Sequence, residues 1–205
     1  MIARRTFIAS AAGLLIAGTA SRSRAAASEP RQTVTAFYNV LLATMKDGPR
    51  LGFSGRRDRL APAVREAFDL PLMTRLVVGL QWSSIPAPQQ QQLVAAFSDF
   101  SIASYASQFD DYSGERFDVE PKADPAPGND VIVRSKLVLP KDKPVELDYL
   151  LRNDQSNWRI IDVYLSGTVS QLATRRSEFS SVLRQDGVAG LLTLLKQKTE
   201  QLAKG

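Results

Sequence analysis

Three short apolar runs separated by two polar breaks, and followed at once by a helical repeat, limit what this chain can fold into. The runs are Val131 to Leu139, Val145 to Leu151 and Trp158 to Leu165. The breaks, Lys141-Asp142-Lys143-Pro144 and Asn153-Asp154-Gln155-Ser156-Asn157, are rich in turn formers, so the spacing predicts a strand meander. After Ser166-Gly167 comes Thr168-Val169-Ser170-Gln171, where a threonine three residues ahead of a glutamine fits a capping box. Beyond it Val169, Leu172, Phe179, Val182 and Leu183 recur at helical spacing, which predicts a helix that leaves the sheet edge and folds back over one face. The expected class is therefore α+β.

Residues i and i+2 of a strand share a face. By that parity Val131, Val133, Leu137 and Leu139 form one inward row, Val145, Leu147, Tyr149 and Leu151 a second, and Trp158, Ile160 and Tyr164 a third. Asp162 falls on the inward side by the same count. Arg134, Lys136, Glu146, Asp148 and Arg152 are left on a wet face, as an antiparallel sheet allows. The third run is also apolar at Ile161, Val163 and Leu165, which predicts cover on both sides.

Ahead of the meander the pattern is helical. Arg31 to Met45 carries Val34, Phe37, Tyr38, Leu41 and Leu42 on one side and stops at Gly48-Pro49. A loop and a second helix with Leu60, Val64 and Phe68 follow, then a short apolar helix from Leu72 to Leu80 and a long one from Gln89 to Phe109. Gly114 to Glu120 reads as a first strand, Pro121 to Asn129 as a loop, and Leu191 to Leu202 as a final helix beyond Gly187 and Gly190. With the meander this makes a sheet of about four strands.

The first residues, Met1-Ile2-Ala3-Arg4-Arg5, form a positive n-region. An Ala/Gly-rich apolar core from Phe7 to Ala20 and the small residues Ala25-Ala26-Ala27 complete a cleaved export signal over residues 1–27. Arg4-Arg5 fits a twin-arginine signal, and the general secretory route stays open beside it. The signal changes the meaning of the charge. Of 26 basic residues, Arg4, Arg5, Arg22 and Arg24 lie in it with no acid, which leaves 22 against 21 in residues 28–205. Nucleic-acid binding loses its main support.

There is no cysteine and no histidine. A disulfide framework is excluded, and the usual metal ligands, general base and thiol nucleophile are missing. Residues 28–205 are of a length for one domain held by its core. Catalysis would have to fall to Asp110, Asp111, Asp148 and Asp162. The first two read more simply as a polar turn and Asp148 as a wet-face residue, so no enzyme is expected. The basic cluster Arg50, Arg56, Arg57, Arg59 and Arg65 fits either a docking patch for a membrane or acidic partner, or a solvated face beside Asp58 and Glu66.

The ordered set of features resembles a known family. Asp69 to Trp82 has the form D…L…VxGxxW; the long helix carries Phe97, Phe100 and Tyr105; the meander closes in Trp158-Arg159-Ile160-Ile161-Asp162-Val163; Gly167, Val169-Ser170, Arg176, Phe179 and Gly187 to Leu191 follow. This is similar to the MlaC-like, or toluene-tolerance, family of periplasmic phospholipid-binding proteins, and the likeness covers nearly all of residues 28–205. Thr168 is an insertion where many members read Gly-Val-Ser. The run Ser170 to Leu183 also resembles the hopanoid-associated branch.

The resemblance implies a soluble, monomeric periplasmic shuttle. It would carry phospholipid or hopanoid between an inner-membrane ABC transporter complex and an outer-membrane component, without a cofactor. The implied fold is a curved antiparallel sheet packed by helices, like nuclear-transport-factor-2-like folds, with an apolar cavity between the layers. The inward rows supply one wall of candidates: Val133, Leu137, Leu147, Tyr149, Ile160 and Tyr164. Leu76, Trp82, Phe97, Phe100, Leu172 and Phe179 supply the other; each is equally readable as packed core. Arg176, on the stripe Leu172, Arg176, Phe179, Leu183, is the candidate for a lipid headgroup, or else for a structural pair with Asp162. A periplasmic adaptor without a ligand shares every feature except a hollow interior.

Overall fold

The computed structural model describes residues 29–154 and 157–204; the signal expected over residues 1–27 lies outside them. Among the described residues, five helices and an open antiparallel sheet make up the α+β fold. Helix α1 (Pro30–Lys46) buries the expected side, from Val34 to Met45. Helix α2 (Gly48–Ala67) follows without a loop, because Pro49 sits at the start of a helix, where its missing N–H costs nothing. The basic stretch read as a loop is therefore helical on both sides of a kink at Gly52, where φ is 62°. Its arginines are largely paired: Arg50 and Arg59 with Asp47, Arg57 with Asp58, Arg65 with Asp99. That is the solvated face of the two readings.

Helix α3 (Leu70–Val78) is capped by Asp69, whose carboxylate accepts the Leu72 N–H at 3.0 Å. It tightens into a single 3₁₀ stretch, Gly79–Ser84, before α4 (Ala87–Gln108). Helix α4 has buried residues around much of its circumference, Leu93, Phe97, Phe100, Ile102, Ala103 and Ala106, because it is packed on several sides by other elements.

The sheet has seven strands: β1 (Arg116–Val119), β2 (Asp124–Pro125), β3 (Val131–Val133), β4 (Ser135–Val138), β5 (Val145–Asp154), β6 (Asn157–Leu165) and β7 (Val169–Ser170). The excess over four comes from short pieces. The run expected from Val131 to Leu139 is split in two, yet both parts keep one register along β5, Val133 opposite Tyr149 and Leu137 opposite Val145. Asp148 causes the gap. Its carboxylate accepts the Ser135 N–H at 3.2 Å and pairs with Arg134 at 3.0 Å, replacing the backbone ladder there. Asp148 is thus buried, contrary to the wet-face reading, while Arg134, Lys136, Glu146 and Arg152 are exposed.

A second correction falls on β6. Its pairing with β5 shifts by one residue between Leu150 and Leu151: Leu151 faces Ile160, but Tyr149 faces Val163 and Leu147 faces Leu165. One extra residue in a strand reverses the parity beyond it. Val163 and Leu165 therefore continue the inward row, and Tyr164, opposite Asp148 and Ser170, is turned to the other face.

Helix α5 (Gln171–Leu202) begins later than the capping box implied. Val169 and Ser170 pair with β6 first, and Ser170, not Thr168, caps the helix by accepting the Ala173 N–H at 2.9 Å. The separate final helix is its second half, set off by a kink at Gly187, where φ of 65° suits a residue without Cβ.

Candidate functional site

Beyond the β6 bulge the inner sheet face is not fully covered. A pocket of about 140 Å³ lies between it and the helices. Strand β5 supplies Leu147 and Tyr149, β6 supplies Asp162, Val163 and Leu165, α2 and its end supply Val64 and Phe68, and α3 supplies Leu70 and Met73. Helix α4 contributes Phe97, Ser101, Ser104, Tyr105 and Gln108, followed by Phe109; Gln171, Leu172 and Arg175 come from the first turns of α5.

Most of its polar groups are already committed. The Ser101 and Ser104 hydroxyls donate to the Phe97 and Phe100 carbonyls, each at 2.8 Å, so these serines have no free donor to offer an anion. Asp162, at the bulge, accepts from the Leu172 N–H at 3.0 Å and the Ser170 hydroxyl at 2.5 Å, which fastens the start of α5 to the sheet. Burial raises the phenol pKa of both Tyr105 and Tyr149, so both stay neutral. Apart from the Asp162 carboxylate, held by those two bonds, and one cation, the wall is neutral and largely apolar.

That cation is Arg175. Its guanidinium lies over the Phe100 ring at 4.3 Å, and burial pulls its pKa down from the usual arginine value, with Glu178 and Tyr105 acting the other way. An arginine remains charged even so. Among the described residues it makes no ion pair, since Glu178 is bonded to Lys198 at 2.7 Å. A partly desolvated guanidinium held only by an aromatic face is prepared for an anion.

The residues singled out in the sequence divide accordingly. Phe97, Leu147, Tyr149 and Leu172 stand in the pocket wall. Val133, Ile160 and Phe179 are wholly buried in the packed core, and Phe100 lies beneath Arg175. Leu76, Trp82 and Leu137 are half-buried outside the pocket, and Tyr164 is on the opposite face. Arg176 is exposed and lies across Gly79, where an added Cβ would stand 3.1 Å from its Nη2. The pair between Arg176 and Asp162 does not form; Asp162 bonds backbone and Ser170 instead. Sequence reasoning missed Val163, Leu165, Tyr105 and Arg175. A signal existed for Tyr105, which follows Phe97 and Ser101 at intervals of four, but none for the bulge.

A second pocket, about 290 Å³, opens on the other side of α2. Thr33, Ala36, Phe37 and Val40 of α1, Ala63, Glu66 and Ala67 of α2, and Asn157, Trp158 and Arg159 of β6 line it. No helix among the described residues is long and apolar enough to cross a membrane.

The fold has a solved counterpart, the phospholipid-binding protein from Ralstonia solanacearum in complex with a phospholipid. It is 27% identical, superposes with a TM-score of 0.74, and the alignment covers 86% of this chain and 99% of that one. The family model described as MlaC protein matches residues 25–197. With the match spanning both the sheet and every helix that lines the pocket, the chain belongs to the MlaC family.

Proposed function

We propose that this protein is an exported periplasmic lipid carrier, not an enzyme, and that its cargo is a phospholipid. The observation that carries the reading is the pocket itself: an apolar wall between sheet and helices with one unpaired, partly desolvated guanidinium at Arg175. Acyl chains would lie against Leu147, Val163, Phe97 and Leu172, and the lipid phosphate would meet Arg175 in place of Arg176. The related protein from Ralstonia solanacearum, crystallised with a phospholipid, supports the same cargo class.

Burial of an acyl chain contributes ~0.8 kcal/mol per CH₂, so even a partly enclosed lipid offsets much of what it loses on leaving a bilayer. No bond needs to be made or broken. The carrier would exchange its lipid with an inner-membrane ABC transporter complex on one side and an outer-membrane component on the other. A hopanoid is the rival cargo, and a ligand-free adaptor is the rival function, favoured by the small volume of the pocket.

The test is mass spectrometry of organic extracts from the protein, purified from its own periplasm without detergent. Phospholipid near one per chain supports the proposal, and a hopanoid at that level would change the cargo. A protein that is empty and also takes nothing from phospholipid vesicles would leave the adaptor as the better account.

A further inference from the structure

The pocket at Arg175 is too small for what it is proposed to hold. At about 140 Å³ it falls below the ~300–1,000 Å³ usual for small-molecule sites, and a two-chain lipid is larger than most such ligands. The additional room lies on the far side of α2. Adjacent stripes of that helix and its C-terminal end border both spaces: Val64 and Phe68, four apart, face the first pocket, while Ala63 and Ala67 face the second. Between them stands a thin aromatic wall. Phe37, in the lining of the second pocket, meets Phe68 and Tyr105, in the lining of the first, edge-on at 5.2 and 5.1 Å between ring centroids.

We propose that the two pockets are the two ends of one acyl-chain site, closed in this structure by Phe37 against Phe68 and Tyr105. This rests on the lipid-carrier reading above. Rings in a close-packed core are held by neighbours on every side. Phe37 instead has open space beside it, and so do its two partners across the wall. Phe37 swinging to another staggered rotamer would join the spaces. The joined site, with the second part at about 290 Å³, comes into the range of a ligand site.

The chemistry of the second pocket fits a hydrocarbon chain and not a headgroup. Its hydrogen-bonding groups are largely taken by the chain itself: Thr33 donates to the Trp158 carbonyl at 2.9 Å, and Arg159 donates through Nη2 to the Arg65 and Phe68 carbonyls at 2.6 Å, although its buried Nε–H has no partner. Glu66 and Asn157 are exposed at its rim. What remains inside is Phe37, Val40, Ala63, Ala67 and the face of Trp158. The small side chains of Ala63 and Ala67 thus keep open a space that sets how long a chain the carrier accepts.

Trp158 makes the proposal measurable, because the chain holds only two tryptophans and the other, Trp82, lines neither pocket. Trp82→Phe protein is loaded from vesicles of phosphatidylcholine brominated near the methyl end of one chain, and separately near the ester. The complexes are freed of vesicles by gel filtration and their lipid content measured. Bound lipid should extinguish most of the Trp158 emission when bromine is near the methyl end, and little when it is near the ester. Bound lipid that leaves Trp158 bright in both cases overturns the joined site, and stronger quenching from the ester end would place the headgroup there and overturn it too. Failure to bind any lipid would instead sink the carrier reading beneath it.

A filling variant gives a second readout. Ala63→Phe, with its melting curve recorded, should lose dipalmitoyl phosphatidylcholine several-fold relative to wild type while holding dihexanoyl phosphatidylcholine equally well. Equal retention of both lipids by the folded variant would count against the proposal.

Discussion

The two halves of β6 carry similar apolar residues and end in different roles. Before the bulge, Ile160 lies opposite Leu151 and both are wholly buried; Phe68 bridges to Ile160, and the Asp69 N–H donates to its carbonyl at 2.9 Å. After it, Val163 and Leu165 lie opposite Tyr149 and Leu147, and the same face becomes the wall of a pocket. The composition of the strand does not distinguish these ends. Cover does, since the end of α2 closes over Ile160 while Val163 and Leu165 lie under the opening turns of α5.

Removing bulk at each end of β6 should separate the two roles most. Leu151→Ala or Ile160→Ala should cost about 2–5 kcal/mol by urea denaturation, because each leaves a cavity in a closed core. Val163→Ala borders space already open and should cost no more than about 1 kcal/mol, yet shed bound lipid faster. Equal losses of stability would mean that the two ends are packed alike.

The next effect belongs to the fastening between them. Asp162→Ala removes the acceptor for the Leu172 N–H and the Ser170 hydroxyl, leaving a helix start unsatisfied, at a cost of about 1–2 kcal/mol. Hydrogen exchange should rise in the first turns of α5 and not in α1. Uniform loss of protection would show that Asp162 does not act locally.

Smaller still in stability is the change at the pocket cation. Arg175→Gln forfeits a contact with Phe100 worth about 0.5–1 kcal/mol at an exposed site, somewhat more when desolvated. Its larger consequence should be poorer retention of phosphatidylglycerol in a vesicle-transfer assay, with Arg176→Gln unchanged. Arg176→Gln alone impairing retention would restore the original candidate.

The least effect is expected at Asp47, away from both ends of β6. Hydrogen bonds from Arg59 and then Arg50 hold its carboxyl below the usual range. A lowered folded pKa contributes stability above the unfolded pKa, about 3.9, and that contribution disappears as pH falls through the folded value. The stability difference between wild type and Asp47→Asn should then be flat near neutrality and close in acid. A difference that persisted below the folded pKa would point to lost hydrogen bonding instead of charge.

Much of the architecture was legible from hydrophobic period alone: the meander, the long helix through Phe97 and Phe100, and the inward row of β5. The corrections share a cause, which is that periodicity assigns a face only while the count is unbroken. Nothing in Trp158 to Leu165 marks an extra residue, so an unbroken count puts Tyr164 on the inward face and Val163 on the opposite one. Arg175 and Arg176 show the same limit on a helix. Each lies three or four residues from both Leu172 and Phe179, so spacing fits either, and only the packing of α5 against α4 selects Arg175. Asp148 was misplaced because a strand position implies a paired backbone, and here its side chain replaces the pairing.

In this carrier, lipid should lie on the face that the bulge gives to Val163 and takes from Tyr164. A photoreactive phenylalanine analogue placed at residue 163 or at residue 164, in protein loaded with phospholipid and irradiated, tests it directly. Mass spectrometry should find lipid joined to the probe at 163 and not at 164. Lipid captured at 164 and absent at 163 would contradict the account.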